Sequence, residues 1–251
     1  MAISVSIICY NEEKNIRRCL ESVKWADEII ILDSFSTDRT LDICREFSEN
    51  IFQHDFDGHV QQKNRALQSC SYNWVICLDA DEVISKELRE SIQSIDTEKI
   101  EYKGFYVPRR VFYLGKWINY SGWYPDYKMR FFDKRFGRWE GVNPHDKVNV
   151  RGKTATLRGD LLHYSYENIS AHLIQMDRFT DIQACEYEKM GEKPSVINFT
   201  LRPLYKFIKS FIIKRGFMDG MRGFIIASMG AFYVFMKFLK LYERGIDSEN
   251  D

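Results

Sequence analysis

The sequence predicts an α/β fold: a mostly parallel, Rossmann-like sheet flanked by helices, followed by a C-terminal amphipathic helical extension. Three observations carry this. Apolar runs alternate with amphipathic segments over the first 95 residues. One run, residues 74–78, has no polar face, reads as a strand buried on both sides, and ends in Asp79-Ala80-Asp81-Glu82. From Arg202 to Arg244 nine Lys/Arg stand against two acids, a net of +7 (nine minus two), in a chain whose formal net charge is zero.

The elements follow in order. Residues 3–9 read as a strand that stops at Tyr10-Asn11-Glu12-Glu13. Ile16, Cys19, Leu20 and Val23 recur at helical spacing to about Trp25. Residues 28–32 form a second buried strand, ending in Asp33-Ser34-Phe35-Ser36-Thr37-Asp38. A helix with Leu41, Ile43, Cys44 and Phe47 on its apolar side follows, with Ser36 or Thr37 as its N-cap. A short strand near 50–53 and a helix around 59–70 lead to the strand at 74–78. Strand and helix in alternation imply parallel pairing through right-handed crossovers. In open α/β sheets ligands bind beyond the carboxyl ends of the strands, where Asp79–Glu82 would lie. Taken alone, that tetrapeptide reads equally as a surface turn with Asp81 or Glu82 opening the next helix.

Composition narrows the function. Hydrophobic content of 45 % and charged content of 29 % are those of a globular chain with a sizeable core. Zero net charge argues against a general nucleic-acid binder. The first strand-to-helix turn has no glycine, which excludes the glycine-rich dinucleotide fingerprint. An aspartate-nucleophile phosphatase would carry its acidic pair after the first strand, not the fourth. Six cysteines at 9, 19, 44, 70, 77 and 185 show no metal-ligand spacing and read as buried free thiols in a reducing compartment. No signal-peptide pattern opens the chain and no apolar run reaches the ~18–20 residues of a span, so the expected location is cytoplasmic.

Four segments, Val5-Ser6-Ile7-Ile8-Cys9-Tyr10-Asn11-Glu12-Glu13, Ile31-Leu32-Asp33-Ser34-Phe35-Ser36-Thr37-Asp38, Gln62-Lys63-Asn64-Arg65-Ala66 and Leu78-Asp79-Ala80-Asp81-Glu82, occur in this order over residues 3–82. Together they resemble the family 2 glycosyltransferases with the GT-A fold. The resemblance implies that Tyr10, Asn11 and Glu12 border the nucleobase and ribose of a nucleotide-sugar and that Asp33 accepts hydrogen bonds from the base. It implies that Asp81 ligates a divalent cation, Mn²⁺ or Mg²⁺, bridging the diphosphate. Asp79, with Ala80 beside it, would bind the ribose or a metal-bound water and so belong to the same metal site. Lys63 stands where the family usually has arginine, keeping the charge but losing the bidentate fork.

After residue 82 the sequence predicts a helix over 85–95, a strand over 102–107 and a strand over 128–132 in which Arg130 is a candidate contact to diphosphate or acceptor. Between them an aromatic stretch (Phe112, Tyr113, Trp117, Tyr120, Trp123, Tyr124, Tyr127) supplies core and stacking surfaces for sugar rings. The segments Trp139-Glu140-Gly141-Val142-Asn143-Pro144-His145-Asp146 and Leu161-Leu162-His163-Tyr164-Ser165 are similar to a narrower subgroup, the bacterial lipopolysaccharide core β-glucosyltransferases. On that resemblance Asp146 is the general base of an inverting transfer, with Asp126 and Glu140 as rivals, and His163 completes the metal site.

Residues 168–191 predict a long polar helix with a stripe at Ile169, Leu173, Met176, Phe179 and Ile182. Residues 203–215 place Leu204, Phe207, Ile208, Phe211 and Ile212 on one face against Lys206, Lys209 and Lys214. The apolar run 223–236 is 14 residues, too short to span, and a basic amphipathic helix pair fits an anionic membrane surface. Packing onto a second subunit as a homodimer is the alternative. The expected organisation is a catalytic domain over 1–167, split into a nucleotide half (1–95) and an acceptor half (96–167), then a membrane-associating extension over 168–251. The expected function is transfer of a hexose from a UDP-sugar to a glycolipid or oligosaccharide acceptor at the inner face of the bacterial cytoplasmic membrane. Transfer to a polyprenyl phosphate is the second reading, and a non-catalytic membrane-bound scaffold the third.

Overall fold

In a computed structural model the chain is described over residues 2–96, 100–142, 145–166 and 168–250. It divides into two compact units, Met1–Arg110 with Asp126–Tyr164, and Val111–Pro125 with Ser165–Asp251.

The first unit opens with β1 (Ile3–Cys9), α1 (Ile16–Val23), β2 (Glu28–Asp33), α2 (Thr40–Arg45), β3 (Ile51–Gln53), α3 (His59–Ser69) and β4 (Trp74–Asp79). These strands pair in parallel in the order β3-β2-β1-β4. Val5, Ile7 and Ile31 are fully buried, and each such side chain contributes about 1.5–3 kcal/mol of burial. Helix α1 buries the four residues its spacing singled out, Ile16, Cys19, Leu20 and Val23. Helix α2 departs from expectation at its start. It begins at Thr40, and its N-cap residue, Arg39, makes no side-chain cap. Asp38 accepts from the Thr40 amide (2.9 Å) instead, because Ser36 is turned back onto Asp33.

The turn after β4 enters a strand, β5 (Glu82–Ile84), not a helix, and helix α4 (Lys86–Gln93) begins only after Ser85, whose hydroxyl caps Leu88. Strand β6 (Tyr102–Tyr113) is twice the expected length and leads through β7 (Lys116–Trp117) to β8 (Asp126–Asp133). Strands β9 (Gly137–Val142) and β10 (His145–Val150) form an antiparallel pair, then β11 (Lys153–Thr156) and β12 (Leu161–Tyr166) follow. The sheet continues β4-β8-β6-β12-β5, antiparallel at β4-β8, β8-β6 and β12-β5, so the parallel nucleotide half gives way to a mixed one. This is the GT-A fold. Asn143 and Pro144 of the β9–β10 segment lie outside the described residues.

The second unit is helical: α5 (Ile169–Lys189), α6 (Val196–Phe199), α7 (Leu201–Ile208) running into a wider turn at Lys209–Ile213, and α8 (Met221–Asn250). Asn168 caps α5 through Ala171. The face that α5 buries is His172, Met176, Thr180 and Ala184; of the predicted stripe Met176 is buried and Ile169 packs against a core cluster, whereas Leu173 and Ile182 are exposed. Small residues at the contact let Ala184 meet Phe238 and Leu241 of α8 closely, while His172 is drawn in by a hydrogen bond to Tyr113 (2.8 Å). The segment Met221–Ile246 of α8 is 26 residues, long and apolar enough to cross a membrane by length and composition. Counting the uninterrupted apolar run alone undervalues it, because only Arg222, Lys237 and Lys240 break its hydropathy before Tyr242.

Candidate active site

The ends of β1, β2 and β4 are in register: Cys9 lies beside Asp33, and Ile8 beside Asp79. Three turns therefore meet at one edge. The first two are built on each other. Asp33 is fully buried and accepts from the Ser36 amide (2.9 Å), the Ser36 hydroxyl and Gln53 Nε2 (3.0 Å). The Asn11 backbone amide donates to Ser36 Oγ (2.9 Å), the Asn11 side-chain Oδ1 accepts from the Thr37 amide (2.8 Å), and the Glu12 amide donates to Thr40 Oγ1 (2.7 Å). Asn11 and Phe35 both have positive φ, 53° and 61°. Asparagine tolerates this region, but a bulky residue there is an outlier of the kind that clusters at ligand sites. Phe35 and Tyr10 are 49 % and 57 % exposed, so two aromatic faces stand open at these strand ends.

The third turn carries the charges. Glu82 is fully buried. Its carboxylate accepts from Arg130 Nε (3.0 Å) and Nη2 (2.8 Å), from Arg109 (3.4 Å) and from the Asp79 amide (3.1 Å). A carboxylate taking a guanidinium and a backbone amide at once fixes the turn between residues 79 and 82. Asp79 places one oxygen on Lys63 Nζ (2.8 Å) and the other on Arg130 Nη2 (2.8 Å). Lys63 Nζ also meets Asp146 Oδ2 (2.8 Å), so the residue expected as base sits one cation away from Asp79. Lys63 and Arg130 both face the ring of the buried Trp139, at 4.4 and 5.3 Å from its centroid.

Electrostatics follow from this packing. Burial opposes the charge of Lys63, but Asp79 and Asp146 outweigh it and hold its pKa above the lysine norm. Burial likewise opposes ionisation of Asp79, and the cations of Lys63 and Arg130 overturn it, leaving that carboxyl well below the usual range. Arg130 is raised in turn, against its own desolvation, by Glu82 and Asp79.

Asp81 stands outside this network. Strand β12 pairs with β5 so that His163 lies opposite Glu82, and the Tyr164 amide donates to the Asp81 carbonyl (3.0 Å). His163 Nε2 thereby comes to 3.0 Å from Asp81 Oδ2. An octahedral cation with ligands at about 2.0–2.1 Å sets neighbouring donor atoms about 3 Å apart, so this carboxylate–imidazole pair has the spacing of two adjacent ligands. Among the described residues no third carboxylate, histidine or cysteine joins them. The donor set fits a cation that relies on substrate phosphates to complete its shell, which is the habit of Mg²⁺. His163 Nδ1 is buried without a partner and so lacks the acceptor that orients most ligating histidines.

The structure thus brings Lys63, Asp79, Arg130 and Asp146 together, and separately Asp81 with His163. Tyr10, Asn11, Glu12 and Asp33 form the neighbouring strand-end turns; Ala80 is buried within the acidic one. Each carboxylate considered as base is ion-paired: Asp146 to Lys63 (2.8 Å), Asp126 to Arg109 (2.7 Å) and Glu140 to Arg138 (2.7 Å); of the three, Asp146 alone shares its cation with Asp79. Sequence reasoning missed four residues. Glu82 organises the acidic turn, Phe35 is strained and exposed, and Trp139 lies under both cations. Asn64 bonds both backbone groups of Trp139 (2.9 and 3.0 Å). All four lay inside the quoted segments, so position was the available signal, but nothing in those segments shows which side chain Trp139 or Glu82 meets.

Comparison with known proteins agrees with this architecture. Residues 4–150 match the family described as Glycosyl transferase family 2. An uncharacterised glycosyltransferase of Rickettsia typhi is 30 % identical over 99 % of this chain and 89 % of its own length. LpsC of Rhizobium meliloti, a lipopolysaccharide core biosynthesis glycosyltransferase, is 27 % identical over 97 % of this chain and 93 % of its own. Among solved structures, the mannosyltransferase PcManGT from Pyrobaculum calidifontis, in complex with GDP-Man and Mn²⁺, aligns with a TM-score of 0.54 at 12 % identity, covering 95 % of this chain and 86 % of that one. With more than half of its length matched, the chain belongs to glycosyl transferase family 2 and is a glycosyltransferase.

Proposed function

We propose that this enzyme is an inverting hexosyltransferase that moves a sugar, glucose from UDP-glucose, onto a lipopolysaccharide core or related cell-surface glycan acceptor. The arrangement of two aspartates two residues apart in opposite roles carries the reading: Asp79 held by Lys63 and Arg130, Asp81 paired with His163. Asp81 and His163 hold a divalent cation, which when bound offsets the negative charge that develops on the departing nucleoside diphosphate. Tyr10 and Phe35 flank the nucleobase, and the Asn11, Glu12 and Asp33 turns hold the nucleoside between them. Asp146 takes the proton of the acceptor hydroxyl, and Lys63 positions its carboxylate at 2.8 Å. Arg130 acts from within the protein, fixing Asp79 and Glu82. The similarity to LpsC over nearly the whole chain supports the acceptor class.

The helical unit supports a peripheral place on the inner face of the cytoplasmic membrane. Helix α7 buries none of its residues, and Leu204, Ile208, Ile212, Phe217 and Phe224 stand 41–54 % exposed beside the basic side chains of residues 202–244. That combination is the signature of an interfacial helix pair.

Calorimetric titration of UDP and UDP-glucose, with Mn²⁺ and with EDTA, tests the donor and the cation together. Metal-dependent binding that Asp81→Asn abolishes is the expected result; binding of no uridine nucleotide overturns the donor assignment. Asp146→Asn should lower kcat by about 10²–10⁴-fold with donor affinity kept. Near-normal turnover would remove Asp146 as base and favour a polyprenyl phosphate acceptor, which arrives already ionised.

A further inference from the structure

The helical unit contains a cavity of about 280 Å³ that the transfer chemistry does not use. Three lysines line it, Lys206, Lys209 and Lys214, together with Ser121, Ser210 and His172. No carboxylate lines it, and none of the three lysines has an ion-pair partner among the described residues. Clustered like charges without an answering anion are costly, and a fold that keeps them beside a concave, partly apolar wall offers an anion site.

The walls are built. The backbone at Ser121 and Gly122 takes positive φ, 62° and 78°. Asp219 accepts from the Asn119 and Tyr120 amides (3.2 and 2.9 Å), the Ser121 amide donates to the Lys214 carbonyl (3.0 Å), and Ser210 Oγ donates to the Ser121 carbonyl (2.9 Å). Ser121 is 6 % exposed, and its hydroxyl is buried with no partner. Lys206 crosses α8 at Gly230, where a Cβ would come within 3.1 Å of its Cε; any larger residue there would push the ammonium away. Lys206 keeps part of its surface in solvent; partial desolvation with Lys209 and Lys237 close by lowers its pKa, a direction that an arriving anion would reverse.

We propose that this cavity binds a phosphomonoester group, held by Lys206, Lys209 and Lys214 with the Ser121 hydroxyl as an added donor. A phosphomonoester carries about −1.5 to −2 charges and three acceptor oxygens, matching a pocket of three cations and a spare hydroxyl. The group comes either from a lipid headgroup or from a soluble phosphorylated ligand. This site goes beyond the transfer reaction and does not depend on it.

The test uses the full chain, inorganic phosphate as calorimetric probe, and phosphatidylcholine vesicles doped with either phosphatidic acid, a monoester, or phosphatidylglycerol, a diester, at matched charge. Phosphate should bind the wild type, and the double variant Lys206→Gln/Lys209→Gln should lose about tenfold or more in affinity. Lys206→Arg and the distant Lys193→Gln should stay near wild type, and unfolding midpoints report that every variant is folded. Displacement of phosphate by phosphatidic acid vesicles, and not by phosphatidylglycerol ones, assigns the lipid source; no displacement by either assigns the soluble one. Absence of phosphate binding in the wild type, equal binding by the double variant, or an equal loss in Lys193→Gln, which would mean a diffuse field only, overturns the site.

Discussion

Lys63 and Lys206 are lysines of one chain in opposite situations. Lys63 is 7 % exposed, lies between Asp79 and Asp146 at 2.8 Å each, and has its pKa raised. Lys206 has no ion-pair partner among the described residues, shares its surroundings with Lys209 and Lys237, and has its pKa lowered. The strand-end cluster has been closed by its own counter-charges, so it is a finished rigid platform. The helical unit leaves cations and apolar side chains unanswered, which is how a surface waiting for something else is built. Removing a charge should therefore damage the first region and barely disturb the second.

The largest effect is expected at Glu82. Glu82→Gln leaves the buried Arg130 with Asp79 as its remaining counter-charge, and breaking one side of a buried ion pair costs up to about 3–5 kcal/mol. Urea unfolding should show that loss, while Lys206→Gln should shift stability by less than about 0.5 kcal/mol. Equal effects at the two positions would dissolve the contrast.

A smaller effect with a definite pH dependence sharpens it. Glu28 ties β2 to the Ser4 hydroxyl of β1 and to the Ser71 hydroxyl and amide before β4. Partial burial works against its charge, but these hydrogen bonds win and hold its pKa below the usual value. A carboxylate lowered in the folded state stabilises above its unfolded pKa of about 4.3, and the benefit drains away as pH falls through the lower folded value. Glu28→Gln should therefore cost about 1 kcal/mol at neutral pH, reduced by solvent screening, and next to nothing once pH has fallen through that lower folded value. A difference between variant and wild type that stays constant across this range would refute the linkage.

How much of this was legible follows the same divide. Ile16, Cys19, Leu20 and Val23 declare α1 because burial and period act on neighbours in sequence. The strands and their acidic ends were equally readable, since an apolar run ending in carboxylates is a local fact. What Asp79 does was not. Its partners come from two other elements, Lys63 from α3 and Arg130 from a strand 51 residues further on that the β4–β8 pairing brings in. The α5 stripe held at Met176 but failed at Leu173 and Ile182 for a related reason. Hydropathy favoured Leu173 and Ile182, whereas packing chose Thr180 and Ala184 for their size and His172 for its tie to Tyr113.

Phe35 offers the finest discrimination, because stability and function should move apart there. Its left-handed backbone costs about 1–2 kcal/mol for a residue with a Cβ, and glycine would relieve this at about 0.5–1 kcal/mol of extra chain entropy. Phe35→Gly should leave the unfolding free energy unchanged or raise it by up to about 1.5 kcal/mol. The same change removes one of the two exposed aromatic faces at the nucleotide turns, and a lost ring stack of about 0.5–1.5 kcal/mol weakens UDP binding roughly 2- to 12-fold. A side chain that is exposed, strained and dispensable for folding is retained for what it touches. If calorimetry gave the same UDP affinity for Phe35→Gly as for the wild type, the strain at this turn would belong to the Asp33–Ser36 hydrogen-bond geometry alone, and Tyr10 would be left as the stacking residue.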